Sequence, residues 1–206
     1  MVGRPPQGAT KRVRGQRGAV IVEAALVLPV MIMIVIGIME FGLLYSNYST
    51  TIASTRSGAR LAATLYSQAK IGTVETGEQT AALAQIVAAT EADLKVMNNA
   101  EPIGMAIYRV DSTSANGAPT GGFPGANMSG GCTSRCIRYT WNPTTKKMVR
   151  QSGSWPDPQR CVIANVESIG VYVQTKHKYI TGMFGQSRTI GGHTVMRLEP
   201  VPSDSC

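Results

Sequence analysis

The side chains able to do chemistry fall into three groups. The first is one carboxylate, Glu23, standing five residues after Gly18 in the otherwise apolar "GAVIVEAALVLPVMIMIVIGIME". A charged carboxylate at the middle of a bilayer costs about 2.5–3.5 kcal/mol, so it needs an interfacial position or a cationic partner. The second group is the cysteines, Cys132, Cys136, Cys161 and Cys206, all placed after the apolar run. An even number there fits two disulfides in an oxidising compartment, with three connectivities open. We expect Cys161 to bridge to the Cys132 or Cys136 region and Cys206 to tie down the tail. Zinc would want paired C-x2-C elements or close histidines, and the spacing offers neither. The third group is His177 and His193, isolated from each other and from the cysteines. His177, between Lys176 and Lys178 on a strand, reads as solvent-facing, and His193 as an ordinary strand residue. No nucleophile elbow, phosphate loop, zinc-protease pair or dinucleotide fingerprint is present. The expectation is therefore no catalytic, cofactor or metal site, and no enzyme.

The elements that must position these groups begin with the charge. The formal net charge is +8, but Arg4, Lys11, Arg12, Arg14 and Arg17 precede Gly18 with no acidic residue among them. The body of the chain is close to balance and its aromatics are scattered, which argues against nucleic acid as a partner. A basic leader (1–18) followed by an apolar segment (19–44) is the profile of a membrane-spanning helix with its N-terminus in the cytoplasm. The carboxylate-free part, Ala24 to Met39, spans about 24 Å at 1.5 Å per residue, so Glu23 or Glu40 lies near a membrane boundary. A cleaved secretory signal has a shorter apolar region, roughly 7–15 residues.

Gly18, "AVIV" and Glu23 together resemble the processing site of type IV prepilins, which are cut on the cytoplasmic side after the glycine. The likeness makes Ala19 the new amino terminus and Glu23 the fifth mature residue, and implies that Glu23 pairs with the terminal amine of a neighbouring subunit. The stretch Val22 to Tyr45, then "STRSGARLAA" (Ser54 to Ala63), and the closing segment Gly170 to Pro200 resemble the TadE-like family, minor pilins or pseudopilins of the tight-adherence (Tad, Flp) pilus. Ala24 stands where an aromatic is common in that family. The resemblance implies a prepilin peptidase, other Tad pilins and an inner-membrane assembly platform as partners. It also implies a single-pass inner-membrane protein with an extracytoplasmic head and a place in a surface pilus. Its R-x-G-A-R signature makes Arg56 and Arg60, and with them Glu23 and Glu40, candidates for subunit contact. An uncleaved anchored scaffold of the same machinery is the alternative, and a tethered extracytoplasmic enzyme or binding domain is a third reading.

Beyond the membrane, residues 45–70 lack proline and contain only Gly58 as a helix weakener. Ile52, Leu61, Ala62 and Leu65 recur at helical spacing, predicting a stem that continues to Tyr66, about 70 Å in all. Pro29 should kink or locally melt it. Gly58 and Ala59 permit close helix approach. The head, 71–206, opens with a break at "IGTVETGE" and an amphipathic helix whose inward face is Leu83, Ile86, Val87, Thr90, Leu94 and Met97, with Glu91, Asp93 and Lys95 off it. Strands follow at "IGMAIYRV", in a "CIRYTW"–"NPTT"–"KKMVRQ" hairpin, at "NVESIGVYVQTKHKY" and at "HTVMRLEP". The segment from Asp111 to Gly131 is a long loop suited to flexibility or contact. The predicted class is α+β and pilin-like: a transmembrane stem helix and a second helix on a small antiparallel sheet.

Overall fold

A computed structural model describes residues 16–66, 74–156 and 166–200. The chain divides into two compact units, residues 1–41 and 42–206. In the first, every described residue belongs to helix α1, Gln16–Leu61. Its large apolar side chains are exposed: Ile21 is 68% exposed, Leu26 71% and Ile38 69%. So much bare apolar surface is unfavourable in water at roughly 25 cal/mol per Å². The helix is long and apolar enough to cross a membrane, with a mean hydropathy of 2.8 in its most apolar window. It passes through Pro29 without melting, as transmembrane helices tolerate.

The second unit opens with the rest of α1, which closes in one π-helical turn, Ala62–Tyr66. Helix α2, Gly77–Leu94, begins with a capping box: Thr76 Oγ1 accepts from the Gln79 amide while the Thr76 amide donates to Gln79 Oε1. Two otherwise orphaned donors are thereby satisfied. The strands are β1, Ala100–Arg109, β2, Cys136–Asn142, β3, Lys147–Ser152, β4, Ser168–Lys178, and β5, Ser187–Arg197. They form one antiparallel sheet ordered β3-β2-β1-β4-β5. This is the predicted α+β, pilin-like arrangement of a long apolar helix, a second helix and a small antiparallel sheet.

The core lies in two layers, one on each face of the sheet. Met105 and Ile107 of β1 and Ile169, Val171 and Val173 of β4 meet Ala59, Ala62, Leu83 and Ile86 from the helices. Strand alternation sends Ala106, Tyr108 and Tyr172 to the opposite face, where Met128, Cys132 and Phe123 cover them. The long loop is thus packed on the sheet, not free of it. Phe123 stacks on Tyr172 at 5.1 Å and meets Tyr108 edge-on at 6.0 Å, and Tyr108 donates to the Gly117 carbonyl. Gly170 makes room for this layer, since a Cβ there would sit 2.2 Å from the Tyr108 ring. Burial pushes the Tyr108 and Tyr172 hydroxyls above the ordinary tyrosine range, because an ionised phenol would lose its hydration.

Three expectations need correction here. Glu91 is not off the packed face: it is 7% exposed, and its carboxylate accepts from the Met148 amide of β3 at 2.5 Å. A backbone donor on an edge strand drew the charge inward. The stem's inward stripe is more polar than Ile52, Leu61, Ala62 and Leu65 alone: Ala62 is fully buried, Leu61 and Leu65 pack partly buried against the core and Ile52 is half-buried. Thr51, Ser54, Thr55 and Ala59 are buried beside them, each 0% exposed. His177 does not face solvent: it is 0% exposed, on the helix side of β4.

Candidate functional site

The chemistry-bearing residues of the first unit share one exposed stretch of helix. Gly18, Ala19 and Glu23 are all exposed. A Cβ added at Gly18 would meet nothing within 4 Å. Ala19 and Glu23 are four residues apart, so they lie on one face about one turn from each other. Helix α1, described from Gln16, includes the Gly18–Ala19 bond.

In the second unit, α1 is held to the sheet by a ladder of polar pairs. Asn47 Nδ2 lies 2.9 Å from His177 Nδ1 and donates to the Asn98 carbonyl at 2.8 Å. Thr51 and Thr175 hydroxyls meet at 3.0 Å, and those of Thr55 and Thr194 at 2.8 Å. Positions 47, 51 and 55 repeat every four residues, one rung per helical turn. Sequence reading passes over these residues because hydroxyls and amides read as a solvated face; the N-x3-T-x3-T spacing was the available signal. One turn further on, Gly58 brings α1 against α2. A Cβ there would be 2.4 Å from Thr90 Oγ1 and 3.4 Å from Val171 Cγ1. Arg56 and Arg60 flank that contact and are both exposed, leaving two guanidinium groups four residues apart on the outer face. Beyond them, Tyr66 donates to the Trp155 carbonyl and packs on its ring at 5.3 Å.

Among the cysteines, Cys132 is bonded to Cys136. The expected bridge from Cys161 to that pair is therefore wrong: a chain reversal through left-handed Cys132 and Arg135 brings the nearer partner within reach. Cys161 and Cys206 lie outside the described residues. His193 is exposed, with Nε2 3.0 Å from the Asn116 carbonyl and its ring against Phe123. Among the described residues no cluster of His, Cys, Asp and Glu could hold a metal ion. A groove between α2 and β3 is lined by Ala84, Ala88, Glu91, Lys95 and Lys147. Beside it, burial pushes the Tyr139 hydroxyl up to about 12. The Glu75 carboxylate, bonded to Arg150 at 2.6 Å, holds that guanidinium above its ordinary value.

An apolar helix long enough to cross a membrane, a second helix and a five-stranded antiparallel sheet define an α+β chain of pilin-like arrangement with one candidate membrane anchor. Residues 18–60 match the family model described as TadE-like protein. This is the family the sequence resembles, and the match associates the chain with the structural components of the Tad pilus. It covers the apolar run and the stem through Arg60, and it begins at Gly18. No curated protein and no solved structure matches the chain.

Proposed function

We propose that the protein is a minor pilin or pseudopilin of a Tad (Flp) pilus or secretion assembly, cut after Gly18 by a prepilin peptidase and acting in pilus biogenesis and adhesion. The observation that carries this reading is the open Gly18–Ala19 bond, one helical turn before an exposed Glu23, at the start of the family-matched stretch. Cutting there leaves Ala19 with a free ammonium group and puts Glu23 near a helix N-terminus, where a carboxylate is favoured. An exposed carboxylate in the apolar run then awaits the amine of a neighbouring subunit, which brings successive helices into axial register. The leader stays in the cytoplasm, the run spans the inner membrane, and the disulfide-bearing head lies outside. Arg56 and Arg60 are the outward groups best placed to meet another Tad pilin or the assembly platform.

The alternative is an uncleaved scaffold of the same machinery. It is favoured by the start of α1 at Gln16, since an intact helix already includes the Gly18–Ala19 bond. The deciding measurement is the amino-terminal residue of the protein isolated from its native membrane. Ala19 supports processing; Met1 in the presence of active peptidase rejects it. Gly18→Val should insert normally and keep its leader. Because the added side chain has open space around it, lost cutting would report on the peptidase and not on misfolding. Glu23→Gln should still be cut, yet fail to co-purify with the other pilins. Normal co-purification would leave Glu23 as an interfacial residue only.

A further inference from the structure

In the hairpin that joins β4 to β5, large aliphatic and aromatic side chains are exposed together. Ile180 is 61% exposed, Met183 50% and Phe184 45%. Elsewhere in the head exposed valines occur singly, at Val74, Val96 and Val149, which is ordinary for a soluble surface. The tip's place follows from the polar ladder. Asn47 meets His177 and Thr51 meets Thr175, so β4 runs antiparallel to α1. Four helical residues rise about 6 Å and two strand residues about 6.6 Å. On that spacing Tyr179 comes level with Leu43. The tip therefore lies at the end of this unit that Gly42 opens.

Two further features at that end suit a bilayer surface. Tyr45 is 73% exposed and Tyr48 46%, amphipathic rings of the kind that settle at headgroup level. The chain from Ser168 to Leu198 contains no aspartate or glutamate, while Lys176, Lys178 and Arg188 are exposed on the hairpin's two strands. Glu101, on neighbouring β1, lies 2.9 Å from Lys178 and leaves an excess of positive charge. Basic side chains flanking an apolar tip can extend their charged ends to phosphates while the tip enters the interface.

We propose that the β4–β5 tip is a second membrane contact of this protein, with Ile180, Met183 and Phe184 set into the interface and Lys176, Lys178 and Arg188 on anionic phospholipid headgroups. It rests on the reading of the apolar run as membrane-spanning. The contact fixes the tilt of the head on the bilayer before any assembly and must be released when the subunit leaves the membrane.

The test uses the full chain in nanodiscs of phosphatidylglycerol and phosphatidylcholine, with a photo-crosslinking phenylalanine analogue at Met183, at Val35 or at Val149, and mass spectrometry of the adducts. Lipid adducts at Met183 and Val35 but not at Val149 are expected. In the Lys178→Gln, Arg188→Gln double variant the Met183 adduct yield should fall by up to about thirtyfold, as loss of anionic attraction worth about 1 kcal/mol for each of the two charges requires. That fall should vanish in phosphatidylcholine alone. Adducts at Val35 with none at Met183 overturn the second contact and leave the anchor standing. Crosslinks from Met183 to another copy of the chain overturn it in favour of a subunit interface. No lipid adduct at Val35 removes the anchor reading itself.

Discussion

Gly58 sets two opposed effects against each other on one residue. In an exposed helix interior, Gly→Ala stabilises by about 1 kcal/mol through backbone entropy alone. At Gly58 the new Cβ would sit 2.4 Å from Thr90 Oγ1, and Val171 stands behind at 3.4 Å. Thr90 cannot easily swing aside, because its hydroxyl donates to the Ile86 carbonyl at 2.9 Å and the residue is fully buried. Overpacking of this kind costs about 1–3 kcal/mol, so Gly58→Ala should destabilise the head by a net of up to about 2 kcal/mol. At about 2–4 °C per kcal/mol for a unit of this size, the melting temperature should drop by up to roughly 8 °C. Near-ultraviolet circular dichroism of the full chain in detergent suits the measurement, since buried Trp155 reports on the head while the apolar helix stays folded. Thr90→Ala removes the atom that clashes and leaves its Cβ position, at 3.7 Å, in ordinary contact. In that background Gly58→Ala should change sign and stabilise. If Gly58→Ala has the same effect in both backgrounds, the close approach of α1 to α2 is not what Gly58 is for.

Two further predictions concern the rim of the head. Tyr139 has a folded-state pKa raised to about 12 by burial, above the unfolded value near 10. Its contribution is complete below pH 10 and lost between about pH 10 and 12, because the unfolded chain releases the proton first; the shift corresponds to about 2–3 kcal/mol. Tyr139→Phe should flatten alkaline destabilisation across that window, read as melting temperature against pH, and an unchanged slope would assign the loss to other groups. Glu91→Ala strands the Met148 amide in a buried setting and should cost about 1–3 kcal/mol. Glu91→Gln keeps an acceptor and should cost less than half as much by denaturant unfolding; equal losses would show that the ion pair to Lys95 matters more.

The elements were legible because periodicity and breakers are local. Leu83, Ile86, Val87 and Leu94 mark α2, the "NPTT" turn marks the β2–β3 hairpin, and the β-branched run of "GVYVQT" marks β4. Burial of polar groups was not legible, because it depends on what the partner element offers. Glu91 goes inward only because an edge-strand amide is there to receive it. His177, between two lysines, is buried because Asn47 comes from a residue 130 positions away. The Cys132–Cys136 pairing likewise turns on a backbone reversal that spacing alone does not specify. Gly18, Ala19 and Glu23 stood out because a carboxylate in an apolar run is conspicuous without any tertiary context.

The polar ladder gives a physical reason for the change of character along α1. Had the aliphatic stripe continued from the membrane run through residue 55, the head's grip on the helix would have been nearly as good one turn up or down, since apolar contacts are not directional. Buried hydroxyls and amides do not allow that. A slip of one turn would move Asn47, Thr51 and Thr55 off His177, Thr175 and Thr194, and each donor left unpaired in the interior costs about 1–3 kcal/mol. The small residues below the ladder reinforce the same register, because Gly58 faces Thr90 with no room for a Cβ. Such a joint resists axial displacement while carrying little apolar area. That property suits a unit built on the end of a helix whose preceding stretch is a candidate membrane anchor, where load applied along the helix would be carried by directional bonds and steric fit.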